Sequence, residues 1–205
     1  MRTIVCIPWR GGDHDREDAL KRVFNFWTEQ GLPVYTSDSG PGLFNRARAR
    51  NLAVEAAGTP TAIIIADADC LVEPQAVARA VDNLQDVIVF PHDHYLRLDA
   101  NGKVKASSHG IATNGGVLVI SDNAWERIGG YDERLSGHGF EDSAFWVAAE
   151  TLLGLSMHVP GAMTELFHRK SRGRHEGDRE LYDRYVAASG NRDAMSALVS
   201  EPGRR

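Results

Sequence analysis
Short apolar runs alternate with longer amphipathic stretches along the first half of the chain. Thr3 to Pro8 is largely apolar and opens into Trp9-Arg10-Gly11-Gly12-Asp13, the pattern of a strand feeding a glycine-containing loop. Leu20, Val23, Phe24 and Trp27 recur at helical spacing and predict a helix from Asp15 to Gln30, closed by Gly31. Val34-Tyr35-Thr36 follows as a strand that stops at the loop Ser37 to Gly42. Phe44 to Ala57 is the next helix, with Asn45-Arg46-Ala47 in its first turn. The run Ala62-Ile63-Ile64-Ile65-Ala66 reads as a strand buried on both faces, and it leads straight into Asp67-Ala68-Asp69-Cys70. Glu73-Pro74 starts a third helix to about Leu84, and Val87 to Phe90 makes another strand. Such alternation predicts an α/β fold with a mostly parallel central sheet flanked by helices.

The second half is patterned differently. Tyr95 to Leu98 and Val104 to Ser107 flank Asp99-Ala100-Asn101-Gly102, and Asn-Gly is a strong hairpin signal. Asn114-Gly115-Gly116 precedes a strand, Val117 to Ile120; the glycines would let backbone approach a ligand closely, or serve a plain turn. Asp122 is placed to cap a short helix through Ile128, ended by Gly129-Gly130. After Tyr131-Asp132-Glu133 and a loop Gly137 to Phe140, Glu141-Asp142 opens a helix to about Leu153. The strand Met157 to Pro160 precedes Thr164 to His168, and Lys170 to Asp178 is a charged, glycine-containing loop. The tail from Arg179 is helical and polar, and Pro202 to Arg205 is expected to fray. No repeat, low-complexity tract or linker interrupts the chain. The pattern predicts one domain over residues 1–205: a nucleotide-binding half to about 92, an acceptor and metal half to about 178, and a helical tail.

Composition narrows the possibilities. With 205 residues and 42% hydrophobic content the chain can bury a proper core. A net charge of -5 argues against a general binder of nucleic acid or membrane surfaces. Arginines do cluster at Arg46-Arg48-Arg50 and at Arg169-Lys170-Arg172-Arg174, which leaves a local anion site open. Cys6 and Cys70 lie in or beside core strands without metal-ligand spacing, as small buried hydrophobes do in a reducing compartment. No signal peptide and no apolar stretch of about 20 residues is present, so a cytoplasmic protein outside the membrane is expected.

Candidate chemistry begins at Asp67 and Asp69. Ligands of open α/β sheets sit at the carboxyl ends of the strands. A backbone still extended there would put both carboxylates on one side, because side chains alternate. Two hard oxygen donors suit Mg²⁺ or Mn²⁺ carrying a diphosphate. The glycines after the first strand do not form GxGxxG, so a Rossmann dinucleotide site is unsupported.

Several stretches, in order, resemble the β-1,4-galactosyltransferase family and the related catalytic domain of polypeptide N-acetylgalactosaminyltransferases. Ile7-Pro8-Trp9-Arg10 is similar to the family's nucleotide loop, Phe44-Asn45-Arg46-Ala47 with Asn51 to its helix start, and Asp67-Ala68-Asp69 to its Asp-Val-Asp. Gly115-Gly116-Val117 and Gly129-Gly130-Tyr131 look like its Gly-Gly-Val strand and Gly-Phe turn. Gly137-His138-Gly139-Phe140-Glu141-Asp142 stands where the family has Gly-Trp-Gly-Gly-Glu-Asp, and His168-Arg169-Lys170 resembles its His-Ser-Arg. His138 and Phe140 replace a tryptophan and a glycine that line the family's sugar sites, so neither sugar can be carried over. Glu165 stands where the family has a methionine metal ligand.

The resemblance implies a GT-A fold and a metal-dependent inverting glycosyltransferase that takes a UDP-sugar donor and a hydroxyl-bearing, typically carbohydrate, acceptor. Asp69 would be the main ligand of Mn²⁺ or Mg²⁺, completed by His168 and Glu165, with Asp67 on the ribose or supporting the metal. Asp142 would be the general base, held ionised by its place at a helix start, and Glu141 would orient the acceptor. Pro8, Trp9 and Phe44 would offer apolar surface to the base, while Arg10 and Arg46 would meet uridine or phosphates. Ala68, Gly115, Gly116 and His138 would line the donor. Rival readings are a nucleotidyltransferase acting on a sugar phosphate, a non-catalytic carbohydrate-binding domain, and a glycosyltransferase with a nucleic-acid acceptor reached through the basic cluster after His168.

Overall fold
The computed structural model describes residues 1–12, 14–110, 115–136, 140–169 and 176–205. In chain order its elements are β1 (Thr3–Pro8), α1 (His14–Glu29), β2 (Val34–Ser37), α2 (Arg46–Ala57), β3 (Ala62–Ala66), β4 (Cys70–Val72) and α3 (Pro74–Asp82). Then come β5 (Val89–Phe90), β6 (His94–Leu98), β7 (Val104–His109), β8 (Val117–Ser121), α4 (Asp122–Ile128) and α5 (Glu141–Leu152). The chain finishes with β9 (Met157–His158), β10 (Ala162–Glu165), α6 (Glu176–Ala188) and α7 (Arg192–Val199).

A six-stranded sheet in the order β2-β1-β3-β8-β5-β9 forms the centre. β1 pairs in parallel with β2 and β3, but β8 runs antiparallel to both β3 and β5. The sheet is therefore mixed where a mostly parallel one was expected. A local apolar pattern carries no strand direction. A second, four-stranded sheet in the order β4-β10-β6-β7 holds the expected hairpin as its β6-β7 pair.

Side chains of the central strands alternate between two cores. Ile4, Cys6, Ile63, Ile65, Leu118 and Ile120 face the layer that contains Trp125, Phe145 and Met195. Val5, Ile7, Ile64, Ala66, Val117 and Val119 face Val23 and Trp27 of α1, with Val72 and Met163 of the second sheet. Each fully buried aliphatic side chain contributes about 1.5–3 kcal/mol of transfer free energy. Double burial explains why the run from residue 62 to 66 is apolar without a break.

Three local expectations are corrected. The cap of α4 is Ser121, whose Oγ accepts from the Ala124 amide at 3.1 Å, and Asp122 is the first helical residue. α6 takes in residues 176–178 of the expected charged loop; Lys170 to His175 lie outside the described residues. The C-terminal end does not fray. Arg204 is buried and donates to the carbonyls of Gly129 and Gly130 at 2.7 Å each, while Tyr185 and Arg134 converge on Asp132 beside it. Among the described residues, no helix is long and apolar enough to cross a membrane.

Candidate active site
Strand direction gathers the site. Pro8 pairs with Ser37 and Ala66 with Val117, so the ends of β1, β2 and β3 and the start of β8 lie along one edge. That edge carries Trp9-Arg10, Asp38, Asp67-Ala68-Asp69 and Gly115-Gly116.

The backbone does not stay extended past Ala66. It turns, with the Cys70 amide bonding back to the Asp67 carbonyl at 3.2 Å, and β4 leaves in the second sheet. Asp67 and Asp69 come together through this turn and not through strand alternation. One carboxylate oxygen from each and the Cys70 sulfur lie within 4.8 Å of one another. The backbone is fixed from both sides: the Asp67 amide donates to Gly116 at 2.7 Å, and Leu166 donates to the Asp69 carbonyl at 2.7 Å. The second bond brings in the segment that ends β10, and His168 Nε2 meets Asp69 Oδ2 at 2.7 Å. His168 Nδ1 faces the Arg169 carbonyl at 2.9 Å. Both ring nitrogens thus face acceptors, and the Asp69 bond raises the His168 pKa.

His168 contacts Asp69 but, like Glu165, is not part of the 4.8 Å cluster; carboxylate oxygens joined by an imidazole are a donor set that would fit Mn²⁺ or Mg²⁺. The Cys70 thiol is pushed well above its usual range by burial and by Asp69, Asp67 and Glu165, so it is the poorest donor of the cluster. Glu165 pairs with Arg97 at 2.8 Å and accepts from the Tyr95 hydroxyl, and it is not part of the 4.8 Å cluster.

On the other side of Asp67 is a buried charge cluster. Asn45 caps α2, its Oδ1 accepting from the Arg48 amide at 2.9 Å, so the helix starts at Arg46. Arg46 and Arg50, four residues apart, share one face. Arg50 is 1% exposed and donates to Asp67 Oδ1 and Asp142 Oδ1, each at 2.7 Å. Arg46 lies 3.1 Å from Glu141, 3.6 Å from Asp142 and 3.8 Å from Asp67. The Arg50 guanidinium also lies 4.6 Å from the centroid of the Tyr131 ring, which stacks on Phe145 at 4.2 Å. Tyr131 is held in turn by Asn51, which accepts from its amide and donates to its carbonyl, both at 2.9 Å. Gly130 is required there: at φ +71 a Cβ would come within 2.7 Å of Asn51 Oδ1.

Glu141 and Asp142 are sharply distinguished. The Glu141 side chain is 0% exposed and that of Asp142 is 16% exposed. A Cβ on Gly115 would sit 3.1 Å from Asp142 Oδ2, so any larger residue there would crowd that carboxylate. The Asp142 pKa is raised to about 7, with burial the main cause; Glu141 and Asp67 add to it, and Arg50 and Arg46 oppose it. This corrects the expectation that the helix start holds Asp142 ionised, because desolvation and two neighbouring carboxylates outweigh the helix field.

The remaining predicted residues are placed as follows. Pro8 is buried at the end of β1, and Trp9 is half-buried, its amide bonded to Ser37 at 2.8 Å. Arg10 is engaged by the loop after β2, contacting Asp38, Gly40 and Gly42, with its guanidinium 5.2 Å from the Phe44 ring centroid. Ala68 packs partly buried in the turn. At Gly116, φ is +87 and a Cβ would overlap the Met163 sulfur. His138 lies outside the described residues. Sequence reasoning did not assign Arg50, Asn51 or Tyr131 to the site. The spacing of Arg46 and Arg50 was the available signal.

Comparison with known proteins agrees with this layout. A catalytic domain of Drosophila β1,4-galactosyltransferase 7 bound to xylobiose superposes with a TM-score of 0.60 at 14% identity, covering 89% of this chain and 79% of that one. A variant of the same enzyme, in complex with manganese, UDP-Gal and xylobiose, also gives 0.60 at 12% identity, with the same coverage. GalNAc-T7 with UDP, GalNAc and Mn²⁺ gives 0.56 at 16% identity, covering 91% of this chain and 42% of that one. The mannosyltransferase PcManGT of Pyrobaculum calidifontis, with GDP-Man and Mn²⁺, gives 0.53 at 16% identity, covering 96% and 69%. No curated protein matches the sequence directly. The family model described as glycosyltransferase like family 2 matches residues 12–184, most of the chain. With the GT-A fold in place and that match spanning both halves of the site, this chain belongs to glycosyltransferase like family 2.

Proposed function
We propose that this chain is a metal-dependent, inverting glycosyltransferase that moves a hexose or N-acetylhexosamine from a UDP-sugar to a hydroxyl acceptor in the cytoplasm. One observation carries the reading: the Asp69–His168 pair at 2.7 Å and the partly open Asp142 carboxylate stand on opposite sides of Asp67, joined through Arg50. Complexes of the structural neighbours with UDP-Gal or GDP-Man and Mn²⁺ support it.

Asp69 and His168 would hold the ion, with Asp67 beside them, and the ion supplies positive charge to a departing diphosphate. Asp142 accepts the proton of the acceptor hydroxyl as that oxygen attacks the anomeric carbon and the sugar–phosphate bond breaks. Glu141 is shut off from solvent, leaving Asp142 as the accessible base of the two. A single base suits direct displacement and inversion. Trp9 and Phe44 offer flat apolar surface to a nucleobase.

The test is a panel of UDP-sugars, with GDP-mannose included, assayed for nucleotide release with and without Mn²⁺. Release that depends on Mn²⁺ is expected. Asp69→Ala should lose metal-dependent UDP binding. Asp142→Asn should keep that binding and lose turnover by roughly 100- to 10,000-fold. Absence of release across the panel, or unchanged UDP binding in Asp69→Ala, would overturn the proposal.

A further inference from the structure
Among the described residues Arg50 is the charged side chain that ranks with the largest fully buried ones, and the proposed chemistry gives it no direct step. A guanidinium taken out of water is costly, and hydrophobic replacements of buried ion pairs are often neutral or stabilising. Its position therefore calls for an explanation beyond packing. One arm of its planar fork contacts Asp67, in the turn that carries the candidate metal ligand. The other contacts Asp142, at the start of α5. The two carboxylates come from segments 75 residues apart in sequence, and a single rigid group spans them. Its guanidinium lies over the ring of Tyr131, which is itself held by Asn51 and stacked on Phe145, so the fork has little freedom to swing.

We propose that Arg50 is a positioning residue that links the two halves of the site, fixing Asp142 relative to the Asp67 turn and supplying the positive charge that keeps Asp142 able to accept a proton. The inference deepens the glycosyltransferase reading and rests on it for its catalytic meaning. The charged and titratable groups facing Asp142 are Arg46 and Arg50 from α2, Asp67 from the turn after β3, Tyr131 from the loop after α4, and Glu141 on its own helix. Asp67, Glu141 and Asp142 lie against the guanidiniums of Arg46 and Arg50, so loss of Arg50 removes the nearer positive charge from Asp142. Arg50 forms the closest contacts of the set, at 2.7 Å, and no other cation replaces it in the described residues at that distance.

The experiment reads Asp142 directly. Carboxyl carbon shifts are followed by NMR against pH in the metal-free protein, with Asp142→Asn used to assign the signal. The wild type is compared with Arg50→Met and Arg50→Lys, and the pH profile of UDP-sugar hydrolysis is recorded for each. In Arg50→Met the Asp142 midpoint should rise by about one pH unit or more, and the acid limb of hydrolysis should move with it. Arg50→Lys should keep the midpoint within about half a unit, since charge is retained, but lower kcat more than it raises KM, since an ammonium cannot span both carboxylates. A folded Arg50→Met with an unmoved midpoint overturns the proposal. If Arg50→Met does not fold, Arg50→Gln takes its place: the charge is removed with less change of shape, the same rise is expected, and an unmoved midpoint again overturns it. Should no UDP-sugar be hydrolysed by the wild type, the proposed function fails while the titration still decides the role of Arg50.

Discussion
At Asp142, burial and charge pull in opposite directions, and the outcome fixes when the residue can act. A carboxylate with a pKa near 7 is protonated in acid and free to accept a proton above that point. Turnover should therefore rise as pH climbs through about 7 and level off beyond it, checked as kcat between pH 5.5 and 9. A flat profile over that range would remove Asp142 from the role. Gly116 carries a second prediction. Its φ of +87 and the Met163 sulfur leave no room for a side chain. Gly116→Ala should cost about 1–3 kcal/mol, measured as a lowered midpoint of denaturant unfolding. Asp67 and Asp69 were legible in the sequence as an acidic pair after a buried strand, but the reason they meet was not. Alternation was the expected cause and a turn is the actual one, because Asp67 bonds to Gly116 just before β8 and Asp69 to the segment after β10, partners far away in sequence.

Elements were read well where the signal is local. β1, α1, β3 and the β6-β7 hairpin fall within a residue or two of their expected bounds, since apolar period and turn residues specify them without outside help. The direction of β8 was not legible, nor was the departure of β4 into a second sheet, because both depend on which partners the chain meets later. The C-terminal segment is the plainest miss. Its polar composition suggests a loose end, yet Arg204 satisfies two carbonyls at the Gly129-Gly130 turn. Arg204→Ala leaves those acceptors without their donors and should cost about 1–3 kcal/mol, read as a fall in Tm. Exposed Arg205→Ala is the control and should change stability by less than about 0.5 kcal/mol.

For the molecule as a whole, two sheets meet at the Asp67–Asp69 turn, so occupancy of the site should be felt in global stability. UDP with Mn²⁺ at about 100 times the dissociation constant should add about 2.7 kcal/mol, which for a chain of this size is roughly 5 to 10 °C in Tm. Asp69→Ala should abolish that shift. The unliganded protein should respond to pH as well. Asp142 has a folded pKa above its ordinary value of 3.8, so the native state holds that proton more tightly than the unfolded chain does. Its contribution to stability is greatest below about pH 4 and declines as pH rises through 7, the reverse of a carboxylate stabilised by a salt bridge. Denaturant midpoints across that window, compared with Asp142→Asn, isolate the effect.

The anchoring of Arg204 has a practical side for anyone handling this protein. From that side chain a continuous chain of contacts runs through Gly130 and Tyr131 to the guanidinium of Arg50. A substitution at Arg204 is therefore expected to be felt at Arg50, two contacts along that chain. An engineered variant should leave that buried arginine unaltered.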